Sequence, residues 1–263
     1  MDILSLLGII VGFGMLIFGF LLEGGSISAL VLLSPAVIVF GGTIGAVLVG
    51  LTVKEITSLG HALGTVFSKA DYRAPELIDR LVQISETARR EGLLSLERVV
   101  EAERDMDPFL KKGILLMVDA TDLQKMREVL ETDVYVVEQQ KKVEISIFEQ
   151  AGGFSPTMGI IGTVMGLIQV LGNMDANNPG GLAEHIAVAF IATLYGVSFA
   201  NLLYLPIANK LKLKLKYYKL ERELIIEGLV AINTGENPKR IRERLNSFLQ
   251  FDLKAFKKYG GNV

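Results

Sequence analysis

The chain contains no cysteine, so it forms no disulfide bond and offers no thiolate to a metal ion. It also lacks tryptophan, and only Tyr195 and Tyr204 lie in its long apolar runs, which predicts a weak aromatic belt. Its two histidines, His61 and His185, lie too far apart in the sequence and in different compartments to share a metal ion. The net charge of −2 gives no preference for nucleic acid.

Positive charge is absent from residues 1–53 and 143–209. All 27 lysines and arginines lie in two blocks, fourteen from Lys54 to Lys142 and thirteen from Lys210 to Lys258. The mean hydropathy is +0.42 over 263 residues, which is high for a soluble domain. Because the cation-free stretches hold the long apolar runs, the sequence indicates a membrane protein.

Four apolar segments cover about residues 3–22, 29–53, 151–171 and 187–208. Each reaches the roughly 20 residues that a spanning helix needs. Backbone polar groups cannot stay unpaired in lipid, so each segment must be helical or sheltered by protein. The first lacks a basic flank and a cleavage site, so we interpret it as a retained helix and not a signal peptide. The predicted fold class is all-α, a polytopic membrane protein with four transmembrane helices.

The distribution of cations also predicts the orientation. The short connections after the first and third segments contain no lysine or arginine, so the positive-inside rule places them outside and both termini in the cytoplasm. The predicted domains are a transmembrane hairpin at 1–53, a cytoplasmic helical region at 54–150, a second hairpin at 151–208 and cytoplasmic C-terminal helices at 209–263. The central loop and the tail together form a helical cytoplasmic domain.

Helical periodicity organises the central region. Leu77, Leu81, Ile84 and Ala88 form one apolar stripe of an amphipathic helix, which Gly92 ends. Residues Thr121-Asp-Leu-Gln124 are typical of a capping box that opens a longer helix running into the third apolar segment.

The tail begins with a row of lysines, at positions 210, 212, 214, 216 and 219. We interpret it as a helix leaving the membrane whose lysines reach the lipid phosphates. Gly235 ends that helix, and Asn237-Pro238 opens a basic one. Glu236 and Glu243 are interleaved with its cations, so we do not expect it to bind nucleic acid.

Small residues recur at i and i+4 in the apolar segments, at 8–12, 41–45 and 162–166. Such glycine pairs let membrane helices approach closely, which favours a tightly packed multi-helix assembly.

Hydroxyls and prolines mark the second hairpin. Thr163, Thr193 and Ser198 lie inside it, with Pro156 near its start and Pro206 near its end. One hypothesis is a polar path through the membrane. The alternative is that each threonine bonds to its own helix and each proline marks a helix end.

None of the four apolar segments contains Asp, Glu, Lys, Arg or His. A relay that moves ions needs an ionisable group within the membrane, so another subunit must supply it if the chain helps to conduct ions. Otherwise the chain is an anchor or a scaffold. Asp105 and Asp107 are interpreted as a solvated turn, and with no nucleophile or metal set we predict that the chain is not an enzyme.

Several blocks of sequence resemble the MotA/PomA family of flagellar stator subunits, over nearly the whole chain. They are Arg89-Arg-Glu-Gly-Leu-Leu-Ser-Leu-Glu97, Ser155-Pro-Thr-Met-Gly-Ile-Ile-Gly-Thr-Val-Met-Gly166, Ala192-Thr-Leu-Tyr-Gly196, Asn201, Leu205-Pro-Ile-Ala-Asn-Lys210 and Glu227-Gly-Leu-Val-Ala-Ile-Asn-Thr-Gly-Glu-Asn-Pro238. The resemblance implies a location in the bacterial inner membrane. It also implies five copies around two copies of a single-span partner, MotB, whose aspartate binds the ion.

The resemblance also assigns roles to single residues. Arg89 and Glu97 match a charged pair that contacts the rotor protein FliG, and Arg90 adjoins them. Thr193 matches a threonine that faces the partner's aspartate.

Pro156 and Pro206 match two prolines of the family that couple ion binding to conformational change. The implied function is torque generation by ion flow, with no cofactor besides the transported ion.

The coupling ion is expected to be a proton, the commoner choice, with sodium as the alternative. Thr163 lies where sodium-driven members resemble it and many proton-driven members have alanine. Two other functions remain open. One is an energy transducer of the ExbB/TolQ type, which has three spans and a different loop order; the other is a membrane scaffold or lipid-binding protein that conducts nothing.

Overall fold

The computed structural model describes residues 2–68, 72–172 and 179–251, without the side chains of His61, residues 179–185 and Phe251. Within these ranges the chain is helical and contains no β-strand. Its contacts define two compact units. The membrane unit comprises Met1–Lys69 and Lys141–Leu213, and the polar unit comprises Ala70–Gln140 and Lys214–Val263. The domain boundaries predicted from the sequence separate membrane segments from cytoplasmic segments. These two units do not test that division, so the boundaries stay a prediction.

The elements of the first half include one π-helical segment. In chain order they are α1 (Ile3–Leu22), α2 (Ile27–Leu30), α3 (Leu33–Ala36), a π-helix (Val37–Gly41), α4 (Gly42–Val49), α5 (Val53–Phe67), α6 (Ala74–Glu91), a 3₁₀ turn (Leu93–Ser95), α7 (Leu96–Ala102) and α8 (Pro108–Val118).

The second half has longer helices. In chain order they are α9 (Leu123–Gly172), α10 (Pro179–Phe199), a second π-helix (Ala200–Tyr204), α11 (Leu205–Asn233), α12 (Pro238–Leu245) and a 3₁₀ turn (Asn246–Phe251).

Four helical stretches are long and apolar enough to cross a membrane, as predicted. They are Ile3–Leu22, Ile27–Val49, and parts of Leu123–Gly172 and Ile186–Asn233. Part of the connection predicted between the third and fourth segments, residues 173–178, lies outside the described residues.

The second of these stretches, Ile27–Val49, contains a short break in the helix. The backbone leaves the helical conformation at Val31 and Leu32, which have ψ angles of 87° and 128°. Pro35 explains the break, because proline has no N–H to donate and fits without loss of a hydrogen bond in the first turn of a helix. The helix therefore restarts at Leu33, two residues before the proline.

The helix of this segment ends before the apolar run does. The helix stops at Val49, and Val53 begins α5. The N–H of Thr52 donates to the Glu55 carboxylate across 2.6 Å, one half of a capping box. This polar start was hidden because the apolar run continues through it.

The polar unit is built around one apolar core. The stripe predicted for α6 packs there, with Leu81 and Ile84 buried and Leu77 and Ala88 partly buried. Each buried leucine or isoleucine stabilises the unit by about 1.5–3 kcal/mol. Gly92 ends α6 with φ +83°, a conformation that only glycine adopts readily, as predicted.

Two helix starts in the polar unit differ in how well they were predicted. The long helix α9 begins with Asp122 as its N-cap and not Thr121, because the Asp122 carboxylate accepts from the N–H of Gln124 at 3.0 Å. The predicted N-cap of α12 is confirmed, since Asn237 accepts from the N–H of Lys239 at 2.9 Å.

Candidate functional site

Helices α9 and α10 approach closely through glycines. A methyl group on Gly159 would lie 2.8 Å from the carbonyl oxygen of Ala192, and one on Gly162 would lie 2.7 Å from the Ala192 Cβ. A methyl group on Gly166 would lie 2.6 Å from the Ala189 Cβ. The predicted contact role of the pair at 162–166 is therefore confirmed within this chain.

The other two glycine pairs behave differently. Gly12 faces the side chain of Leu202, but Gly8, Gly41 and Gly45 have no described atom within 4 Å of the place where a Cβ would lie. Their small faces are open in the single chain.

The close approach of α9 and α10 brings Thr163 and Thr193 together. Their hydroxyl oxygens are 2.6 Å apart, and the Thr163 hydroxyl also lies 2.9 Å from the carbonyl of Ala189 and 3.1 Å from that of Gly159. The Thr193 hydroxyl lies 3.5 Å from the same Gly159 carbonyl. The two hydroxyls predicted to lie on a polar path are therefore in contact with each other. Thr163 also makes the bond to its own helix that the alternative described.

This cluster has more acceptors than protons. Two hydroxyls supply two protons to two carbonyl oxygens and to each other. If Thr193 donates to Thr163, then Thr163 donates to the carbonyl of Ala189 or to that of Gly159; if the direction reverses, Thr193 donates to Gly159. The cluster therefore has more than one hydrogen-bonding arrangement.

Pro156 lies inside α9, two turns before Thr163 and about 10 Å from it along the helix axis. The neighbouring Ser155 is fully buried, and its hydroxyl donates to the Gly196 carbonyl of α10 at 3.0 Å. A second polar bond thus joins the two helices beside the proline.

Pro206 is the second residue of α11 and follows the π-helix Ala200–Tyr204 directly. Proline cannot donate to the carbonyl four residues earlier, here Leu202, and its ring crowds that carbonyl. The wider π-helical turn accommodates this. Pro206 is exposed and lies thirteen residues beyond Thr193, so the structure does not gather the four predicted residues at one point.

The three predicted rotor-contacting residues lie at one corner of the polar unit. Arg89 and Arg90 are in the last turn of α6, Glu97 is in the first turn of α7, and all three are exposed. Leu94, between them, is 73% exposed. In the described part of the chain none of the three charged side chains forms an ion pair, so the corner presents free charges of both signs around an apolar residue.

The interpretation of Asp105 and Asp107 as a solvated turn is wrong for Asp107. Its carboxylate accepts from the N–H of Phe109 at 2.8 Å, which caps α8, and from the Arg222 guanidinium at 2.7 Å. Burial acts to raise the pKa of Asp107, but the bond and charge of Arg222 outweigh it and the pKa lies below its ordinary value. Among the described residues no cluster of three metal-ligating side chains occurs.

Sequence reasoning missed the role of Tyr195. Its hydroxyl donates to the Leu30 carbonyl and accepts from the N–H of Leu32 at 3.0 Å, on either side of the break in the second apolar segment. Pro35 was the available indication of a break, but nothing in the sequence pairs that break with a tyrosine far along the chain.

Comparisons with known proteins agree over the whole chain. Residues 101–224 match the MotA/TolQ/ExbB proton channel family, and residues 6–92 match the N-terminal region of motility protein A. Motility protein A of Bacillus subtilis (strain 168) is 38% identical over 250 residues, which cover 95% of this chain and 91% of that protein. Chemotaxis protein PomA of Vibrio alginolyticus is 36% identical over 256 residues, covering 97% and 98%.

Solved structures match as well. The flagellar MotAB stator complex from Bacillus subtilis contains a chain with a TM-score of 0.88 and 36% identity, covering 98% of this chain and 99% of that one. A chain of the C. jejuni MotAB structure has a TM-score of 0.90 and 29% identity, covering 97% and 98%.

Proposed function

We propose a function from the premise that this chain belongs to the motility protein A family, within the MotA/TolQ/ExbB proton channel group. It is a multi-pass inner-membrane protein and a stator subunit of the bacterial flagellar motor. With a MotB-type partner it forms an ion channel whose ion flow drives rotation.

One observation supports the proposal that the chain needs a partner subunit to conduct ions. The α9–α10 pair offers the hydroxyls of Thr163 and Thr193, but the four apolar segments contain no Asp, Glu, Lys, Arg or His. Because a titrating group in the membrane is what binds a moving ion, the partner supplies the carboxylate and this chain supplies the polar wall.

Complementation tests this function. The chain is expressed in a bacterium that lacks its own copy of this stator subunit, with and without the matching partner subunit. We expect swimming to return only when both are present. Swimming that never returns with the partner present would contradict the proposal, and restored uptake through an outer-membrane receptor would instead favour an ExbB/TolQ-type transducer.

The transported ion is proposed to be a proton. A dehydrated sodium ion needs several oxygens turned toward one point, whereas the Thr163 and Thr193 oxygens are 2.6 Å apart and turned toward each other. A proton needs a single acceptor. The presence of the hydroxyls themselves favours sodium as the second candidate.

Swimming speed in proton-limited and sodium-limited media distinguishes the two ions. We expect speed to follow the proton gradient in the parent and in Thr163→Ala, with the variant somewhat slower because it loses its bonds to α10. Thr157→Ala is the control, since that hydroxyl bonds only to its own helix, at the Phe154 carbonyl. If speed follows the sodium gradient, and falls sharply in Thr163→Ala but not in Thr157→Ala, the proposal of proton coupling is wrong.

The rotor contact is proposed to involve Arg89, Arg90 and Glu97 acting on FliG. Exposed charge pairs contribute about 0–1 kcal/mol each, weak enough to form and break as the rotor passes. We expect Glu97→Lys to reduce swimming and a charge reversal on the rotor to restore part of it. Glu101→Lys is the control, because Glu101 is also exposed on α7 and makes no ion pair in the described ranges. Equal swimming in the parent and Glu97→Lys would remove the residue from the contact.

The assembly is proposed to contain five copies of this chain around two partner subunits. Helix α1 has no buried residue in the single chain, so its apolar surface must be covered by lipid or by other subunits.

Contacts with membrane lipid are proposed at the apolar helices and the lysine row. Lys212 and Lys219 are about half-exposed although each bonds to a glutamate, which supports contact of their side chains with lipid phosphates. Both termini are proposed to lie in the cytoplasm.

A further inference from the structure

The break at Val31 and Leu32 creates a problem for a membrane protein. These residues lie inside the second candidate span, Ile27–Val49, where no water is available to bond free backbone groups. Leaving the helical conformation removes the regular partners of nearby N–H and C=O groups. Some other part of the molecule must therefore bond to them.

The Tyr195 hydroxyl does so on both sides of the break. It donates to the carbonyl of Leu30 and accepts from the N–H of Leu32, so one hydroxyl uses its donor and one acceptor site at once. The ring is also held, because it stacks on Phe40 with centroids 6.0 Å apart, and Phe40 meets Phe199 edge-on at 4.6 Å. The packing of the ring therefore fixes the position of the hydroxyl.

The segment that Tyr195 holds is next to the threonine cluster. Tyr195 is two residues beyond Thr193 on α10. Ile38, in the π-helix just after the break, lies against Gly162, where a Cβ would be 3.4 Å from its Cγ2 atom. Gly162 immediately precedes Thr163, so the broken segment packs on the helix pair that carries both hydroxyls.

We propose that Tyr195 is a positioning residue for ion conduction, whose hydroxyl holds the broken start of the second apolar segment against α10 and so fixes the wall beside Thr163 and Thr193. The ion-conduction part rests on the proposed function. The hydroxyl bonds themselves do not depend on it.

Tyr195→Phe tests the proposal because it removes only the hydroxyl and leaves the stacked ring. Tyr204→Phe is the matched control, since Tyr204 also lies in the fourth span and its hydroxyl makes no hydrogen bond in the described ranges. Each change is made in the full chain, expressed with its partner, with and without Leu30→Cys. Leu30 is 9% exposed in the single chain, so a cysteine there is labelled only when the segment opens, and the sequence has no other cysteine.

The first measurement is the rate at which a membrane-permeant maleimide labels Leu30→Cys. Loss of the hydroxyl is expected to raise the rate about 5- to 30-fold, the change in population that follows from losing bonds of this kind, while Tyr204→Phe leaves it unchanged. An unchanged rate in Tyr195→Phe would overturn the tie, and this result stands whether or not the chain conducts ions.

The second measurement is swimming speed as the ion gradient is lowered stepwise, without the cysteine. We expect Tyr195→Phe to need a larger gradient for half-maximal speed and Tyr204→Phe to match the parent. Faster labelling with an unchanged gradient dependence would make the bonds purely structural and overturn the positioning role. A parent complex that never swims would contradict the proposed function and leave the labelling result as the test of the tie.

Discussion

Asp107 and Glu221 show how neighbouring carboxylates in the polar unit acquire opposite properties. Burial acts to raise the pKa of Asp107, but the hydrogen bond and charge of Arg222 outweigh it, so the pKa lies below its ordinary value. Burial raises the pKa of Glu221 above its ordinary value, although it accepts from the N–H of Arg73 at 2.7 Å. Ionisation of Asp107 therefore stabilises the fold, and ionisation of Glu221 destabilises it.

Asp107→Asn is expected to lower stability at neutral pH by about 1 kcal/mol, because asparagine still caps α8 but loses the charge that Arg222 binds. The folded pKa of Asp107 lies below the unfolded value of about 3.9, so its contribution is present above that pH and is lost as the pH falls through the folded pKa. Thermal unfolding of the purified protein at several pH values should therefore show a difference that shrinks in acid.

Glu221→Gln is the control of opposite sign. Glutamine keeps the acceptor for the Arg73 N–H and removes a charge that burial disfavours, so the variant should gain stability at neutral pH and lose that gain in acid. A pH-independent difference for either variant would contradict the role given to its charge.

At the scale of elements, the α9–α10 contact is the one most sensitive to a single methyl group. The nearest atoms to a methyl on Gly159 would be the Ala192 carbonyl oxygen and, at 3.1 Å, the Thr193 Cα, both of them backbone. Backbone atoms cannot move aside as a flexible side chain does. The helices must separate to admit the methyl, and this would pull Thr193 from Thr163.

Gly159→Ala is therefore expected to destabilise the protein by about 1–3 kcal/mol and to abolish most swimming. Gly153→Ala in the same helix is the control, because no described atom lies within 4 Å of its Cβ position. Thermal unfolding in detergent and swimming in soft agar would check both. Equal effects of the two substitutions would mean that the cost comes from glycine replacement in α9 and not from the contact.

Elements with local causes could be predicted from the sequence. Gly92 and the Asn237-Pro238 pair mark helix ends because the required backbone conformation or cap belongs to the residue itself. The break before Pro35 was missed because counting apolar residues conceals a proline within an apolar run.

The site could be predicted only in part. Residue types indicated Thr163 and Thr193, but their separation of 2.6 Å depends on the register of two helices packed through Gly159 and Gly162. Tyr195 required knowledge of a distant contact, which no local pattern contains.

At the scale of the whole molecule, the segregation of cations predicts which parts of the chain lie on each side of the membrane. The connection between α1 and α2 contains Ser26, which is exposed and has no lysine or arginine near it. Gln83 is exposed on α6 in the cation-bearing polar unit. The positive-inside rule places these two positions on opposite sides of the membrane.

Single-cysteine labelling tests this sidedness, and the natural absence of cysteine makes it direct. An impermeant maleimide added to intact spheroplasts should label Ser26→Cys at once and Gln83→Cys only after the membrane is permeabilised. The cysteine-free parent is the control for background. The reverse order of labelling would invert the proposed topology.

The two π-helices have a consequence for how the length of this chain can vary. Each π-helical turn holds one residue more than an α-helical turn would, so deleting one residue from 37–41 or 200–204 lets the turn relax to α-helix. The helix faces on either side then keep their directions. A deletion elsewhere in the same spans turns every later residue by about 100°, carrying Pro206 or Phe40 to another face. Single-residue deletions within the second and fourth spans are therefore expected to be tolerated at these two places and rejected around them.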